Sequence, residues 1–107
     1  MTVLYADPVR TDPALARRIG VAIEVARDLK DWTQEQLATA AATSISTISR
    51  YESGTTDSHA QTMFRIARAL DVPLEWLMAP PPGGRQEVFE ALALLRAQRR
   101  IAGLGPF

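Results

Sequence analysis

Apolar residues recur along most of this chain at the three- and four-residue steps of a helix. Leu15, Ile19, Ala22, Ala26 and Leu29 form one such stripe, widened by Ile23, and predict a first helix from Asp12-Pro13 to about Lys30. Leu37, Ala38 and Ala41 predict a short second helix over residues 34–41. Thr47, Ile48 and Tyr51 mark the inward side of a third helix, Ile45–Ser53. Met63, Ile66, Ala67 and Leu70, with Phe64 beside them, give the inward side of a fourth that ends at Leu70. Leu74, Trp76, Leu77 and Met78 form a short fifth helix that closes the core. Val88, Leu92 and Leu95, with Phe89 alongside, stripe a sixth helix over about residues 85–102. The one β-prone run, residues 2–5, is too short to hold a strand alone and reads as part of a leader over residues 1–11.

Polar punctuation fixes the boundaries. Asp12 before Pro13 is an N-cap with proline in the first turn. Thr33 and Gln36 form a capping box, and Trp32 and Leu37 stand at hydrophobic-staple spacing. Ser44 caps the third helix and Gly54 ends it in the left-handed region. Ser58 and Gln61 repeat the capping-box spacing before the fourth helix. Asp71, which tolerates positive φ better than most residues, ends that helix. Residues 79–84, Ala-Pro-Pro-Pro-Gly-Gly, admit no helix and read as a spacer. In the sixth helix Glu87 and Glu90 precede Arg96, Arg99 and Arg100, as the helix dipole favours.

The third helix carries the candidate chemistry. Its outward side is Ser46, Ser49, Arg50 and Ser53, with Ile45 at the margin. A small polar face with one arginine suits approach to a flat, hydrogen-bonding surface such as a base-pair edge; it equally suits a solvated helix.

Two helices joined by a tight turn, with these residues, resemble the Cro-repressor-like (XRE-type) helix-turn-helix DNA-binding family. The matching positions are Thr33, Gln34, Leu37 and Ala38, then Ser44, Ser46 to Glu52, and Gly54. Ile66, Ala67, Ala69, Leu70, Val72, Leu74, Trp76 and Leu77 continue the match, which spans residues 14–78. The resemblance implies an all-α, five-helix lambda-repressor-like domain over residues 12–79, a linker at 80–84 and one further helix and tail over 85–107. It also implies a recognition helix in the major groove of double-stranded DNA. Ile45, Ser46, Ser49 and Arg50 would face bases; Gln34, Ser44, Thr47 and Thr55 would contact the backbone. Arg27 and Glu52 would brace the first helix against the recognition helix. Three positions depart from the family pattern: Ala42 stands where glycine is usual, Thr43 where a buried valine is common, and Ile45 where a polar residue is usual.

Composition changes this picture in two ways. Twelve basic residues balance twelve acidic ones, whereas DNA-binding domains usually carry a basic bias. The loop at 55–58 brings Asp57 and no cation to a place where relatives hold phosphates. Few phosphate contacts are therefore expected. The chain has no cysteine, hence neither disulfides nor thiolate metal sites, and suits a reducing cytoplasm. No apolar run approaches the ~20 residues of a membrane span. His59, the single histidine, lies beside Ser58 and Asp57, but side chains adjacent in sequence diverge and make no triad. Neither an enzyme nor a cofactor is implied. The expectation is a dimeric repressor, with Val88, Phe89, Leu92 and Leu95 joining two copies. Its rivals are an antitoxin that also wraps a toxin partner, and an interaction module that has lost DNA binding.

Overall fold

The computed structural model describes residues 13–55 and 59–103. It contains six helices: α1 Pro13–Leu29, α2 Gln34–Ala40, α3 Ile45–Ser53, α4 Ala60–Leu70, α5 Leu74–Met78 and α6 Arg85–Ile101, with no strand among the described residues. The leader, Asp12, residues 56–58 and the tail with Leu104 and Phe107 lie outside them.

α1 is the hub, packed by α3 on one side, by α6 on another and by α4 and α5 at its inner face. This explains why its buried residues exceed a single stripe: Ala16, Ile19, Gly20, Ala22, Ile23, Val25 and Ala26. Leu29, expected inside, is 39% exposed, and Val25 is buried in its stead. The residues that α6 covers are set by its approach, which α1 alone does not encode.

Four of the helices end in the same reversal. A residue with positive φ follows the helix, and the next backbone N–H reaches back to the sixth carbonyl, the Schellman arrangement. The bonds are Trp32 to Arg27, Thr43 to Ala38, Thr55 to Arg50 and Val72 to Ala67, each 2.9–3.2 Å. The positive-φ residues are Asp31, Ala42, Gly54 and Asp71. Asp71 also accepts a 2.9 Å bond from Lys30, whose ammonium lies over the Trp32 ring.

α4 opens one residue later than the Ser58–Gln61 spacing predicts. His59 occupies the cap position in an extended conformation and makes no side-chain cap bond. Its backbone N–H donates to the Tyr51 hydroxyl at 3.1 Å, so a buried aromatic of α3 fixes the entry to α4. Met63, Ile66, Ala67 and Leu70 point into the core as expected. Phe64 does not: it is 47% exposed, with the Arg68 guanidinium 5.7 Å from its ring centre.

α6 folds back on its own chain. Val88 and Leu92 have no exposed surface and belong to the same core cluster as Ile19, Ile23 and Leu77. The expectation that these two residues face a second copy is corrected, because α1 already buries them. Residues 79–84 are not a free spacer either, since Pro80 is buried. Gly83 takes positive φ, and Glu87 accepts from the Gly84 N–H at 2.9 Å to start α6. Two arginines then hold the helix. Arg85 pairs with Glu24 and Asp28 of α1, and Arg96 donates to the Leu70 carbonyl at the end of α4 at 3.1 Å. Burial lowers the Arg96 pKa, with Asp71 opposing. No described helix is long and apolar enough to cross a membrane.

Candidate nucleic-acid interface

α2 and α3 form the candidate interface. Thr33 accepts from the Gln36 N–H at 3.1 Å while Gln36 accepts from the Thr33 N–H at 2.8 Å, so the capping box is complete in both directions. Leu37, Ala38 and Ala41 then lie inward, with Trp32 packed partly against them. Ser44 takes the Thr47 N–H at 3.1 Å and starts α3. Ile48 and Tyr51 are buried, which forces the opposite side of α3 outward.

That outward side carries Ile45, Ser46, Ser49, Arg50 and Ser53, all exposed. Ile45 is 46% exposed and so does not pack under the turn. The Ser44 and Thr47 hydroxyls lie 2.9 Å apart, with Ser46 at 3.3 Å from Ser44. At the other end the Ser53 and Thr55 hydroxyls are 2.9 Å apart, and Ser53 donates to the Arg50 carbonyl. Hydroxyls can both donate and accept, so each pair keeps capacity for one more partner.

Behind this face lies an ionic brace. Arg27 donates through Nε to Glu52 Oε2 at 2.6 Å and through Nη2 to Oε1 at 3.1 Å, and its Nη1 donates to the Trp32 carbonyl at 2.7 Å. The bond to Glu52 raises the Arg27 pKa against the opposing effect of burial. Gln34, expected at the DNA backbone, also donates to Glu52 Oε1, at 3.0 Å. One carboxylate thus ties α1, the start of α2 and the end of α3 together. Such a half-buried pair constrains geometry more than it stabilises.

Three contributors escaped the sequence reading. Gly20 lies where a Cβ would come within 2.6 Å of the Tyr51 carbonyl oxygen and closer still to that of Glu52. It lets α1 touch the α3 backbone, and a lone glycine inside a helical pattern is its only signal. Arg17 is exposed, and its backbone and Cγ sit against Gly54, the residue that ends α3. Arg65 donates to the Ala41 carbonyl at 3.1 Å and ties α4 to the inter-helix turn. Nothing in the spacing of Arg17 or Arg65 marks these roles.

The model of a family described as helix-turn-helix matches residues 23–77. Among solved structures, the restriction-modification controller protein C.AhdI from Aeromonas hydrophila is similar at 24% identity and a TM-score of 0.56, over 58% of this chain and 94% of that one. The clp gene regulator ClgR from Corynebacterium glutamicum is similar at 23% identity and a TM-score of 0.58, over 88% and 93%. The hypothetical transcription factor NHTF from Neisseria is similar at 22% identity and a TM-score of 0.62, over 79% and 93%. These likenesses establish a shared fold. Comparison with curated proteins yields no match.

Proposed function

The chain belongs to the XRE-type helix-turn-helix family of DNA-binding transcriptional regulators, and from that premise we propose that it is a sequence-specific repressor acting as a dimer. The observation that carries this reading is the outward side of α3. Ile45, Ser46, Ser49 and Arg50 are exposed together on a helix whose other side is locked into the core. In this reading α3 enters the major groove and α2 crosses the backbone.

Arg50 reads guanine, since a guanidinium can bond O6 and N7 of that base together. Ile45 offers only apolar contact and meets a thymine methyl. Gln34, Ser44, Thr47 and Thr55 hold phosphates, and the exposed Arg17 beside Gly54 adds a cation to them. The balanced net charge supports a gentle salt dependence, with roughly 2–4 phosphates neutralised per subunit and each adding about 0.9 to the slope of log K against log salt.

Selection of binding sites from a random duplex pool tests the proposal. Enrichment of a two-fold symmetric site, with a guanine and a thymine in each half, is the expected result. Failure to enrich any sequence, with no shift of random duplex at low salt, would favour an interaction module instead.

A further inference from the structure

α6 is apolar on two opposite sides. Val88 and Leu92 occupy one and are fully buried against α1. Ala93, Leu94, Ala97 and Ile101 occupy the other. At about 100° per residue these four fall within one arc, across the helix axis from Val88 and Leu92. Leu94 is 59% exposed and Ile101 87%. Phe89, at the border of this arc, is 40% exposed. A helix held in place by Arg85 and Arg96 therefore presents a second apolar stripe outward. The two alanines, four residues apart, leave room for another helix to approach closely.

The charges on this outer side say what fits. Glu90 lies on the stripe towards its N-terminal end, and Arg100 flanks it near the C-terminal end, both exposed. Among the described residues Glu90 accepts an exposed bond from Gln86, one turn away, at 3.0 Å. Arg85 and Arg96 point the other way, into their own chain.

We propose that this outer face of α6 joins two copies of the chain, with their α6 helices antiparallel about a two-fold axis at the level of Leu95. That register sets Glu90 opposite Arg100 of the second copy, Ala93 opposite its Ala97, and Phe89 opposite its Ile101. The contact is isologous, so each pair occurs twice. A parallel arrangement would instead set Glu90 against Glu90 and Arg100 against Arg100, and like charges face to face oppose association. The proposal rests on the dimeric reading above and replaces Val88 and Leu92 with the surface that remains available.

The test measures the mass of the full chain in solution by sedimentation, without DNA, across the micromolar range. Wild type should dimerise. Leu94→Glu should raise the dimer dissociation constant about tenfold or more, the scale of losing a central apolar anchor. Leu94 is exposed in the single chain, so circular dichroism and melting should be unchanged; Ile101→Glu serves as a second variant if they are not. Glu90→Arg and Arg100→Glu should each weaken the dimer, and the two together should restore it. A monomeric wild type, a dimer indifferent to both apolar variants, or a double swap that restores nothing would overturn the proposal. DNA binding is followed separately by gel shift on the selected site, so a lost dimer interface and a lost DNA-binding function give different results.

Discussion

Gln34 donates its side-chain amide to Glu52, 3.0 Å away across the junction of α2 and α3. A carboxylate can only accept, so this bond fixes which end of the carboxamide is the NH2 group. Glu52 is held in turn by Arg27. The orientation of a proposed backbone-contacting group is thus set two residues away from the DNA.

Gln34→Ala should weaken binding to all duplex sequences by a similar factor, since backbone contacts position the protein without reading bases. Gln34→Glu should be worse. It would set a carboxylate within about 3 Å of Glu52 and turn a donor into an anion where a phosphate is expected. Titrations against selected and scrambled sites distinguish the two: a loss confined to the selected site would place Gln34 at a base.

Arg50→Ala should relax preference at one base pair in each half-site, a loss of ~1–3 kcal/mol in discrimination. Repeating the site selection with the variant reads this directly. If all sequences weakened equally, Arg50 would be a phosphate contact.

Ala42→Gly should stabilise the protein. Ala42 holds a φ of 56°, a conformation that costs a residue with a Cβ about 1–2 kcal/mol. Glycine recovers that and loses part of it to greater freedom in the unfolded chain, roughly 0.4–1 kcal/mol. Urea denaturation should therefore show a gain on the order of 0.5–1 kcal/mol. No gain would mean that the turn had already relaxed around the methyl group.

Gly20→Ala should do the reverse. Its methyl group would meet the carbonyl oxygens of Tyr51 and Glu52, which are backbone and cannot rotate away. Forcing α1 and α3 apart should cost about 1–3 kcal/mol. DNA affinity should fall with it, because the same separation stretches the Arg27–Glu52 brace. An unchanged melting temperature would show that the helices part freely.

How much of this was legible in the sequence depends on the range of the interaction. Thr33, Ser44, Gly54 and Asp71 act within one turn of the helix they bound, and each is where the spacing predicts. The Arg27–Glu52 pair spans 25 residues and was legible only through family resemblance. Periodicity tells that Val88 and Leu92 are buried, but not in which chain, and the fold assigns them to their own. Phe64 and Leu29 sit at the edges of their stripes, where a neighbouring helix decides whether the residue is covered. At His59 the backbone N–H donates across the fold to the Tyr51 hydroxyl, a contact that local spacing does not show. Gly20 needed the partner helix to be seen at all.

Leu92→Ala should destabilise the whole domain by about 2–5 kcal/mol, because it opens a cavity between α6 and α1 rather than loosening an appendage. A single cooperative melting transition at lower temperature is the expected outcome. Two separate transitions, one for α6 and one for the rest, would show that the helix folds independently.

The family match spans residues 23–77, yet the core it builds is sealed from both sides of that span. Ile19 and Ala22 come before it, and Val88 and Leu92 after it. An exchange of DNA specificity with a relative, made at the limits of the matched segment, would cut through packed side chains at both joins. A chimera that also carries its own first and sixth helices keeps each apolar surface with the partner shaped for it. For this protein the interchangeable part is therefore larger than the recognisable one, and the safest place to alter specificity is the exposed side of α3 alone.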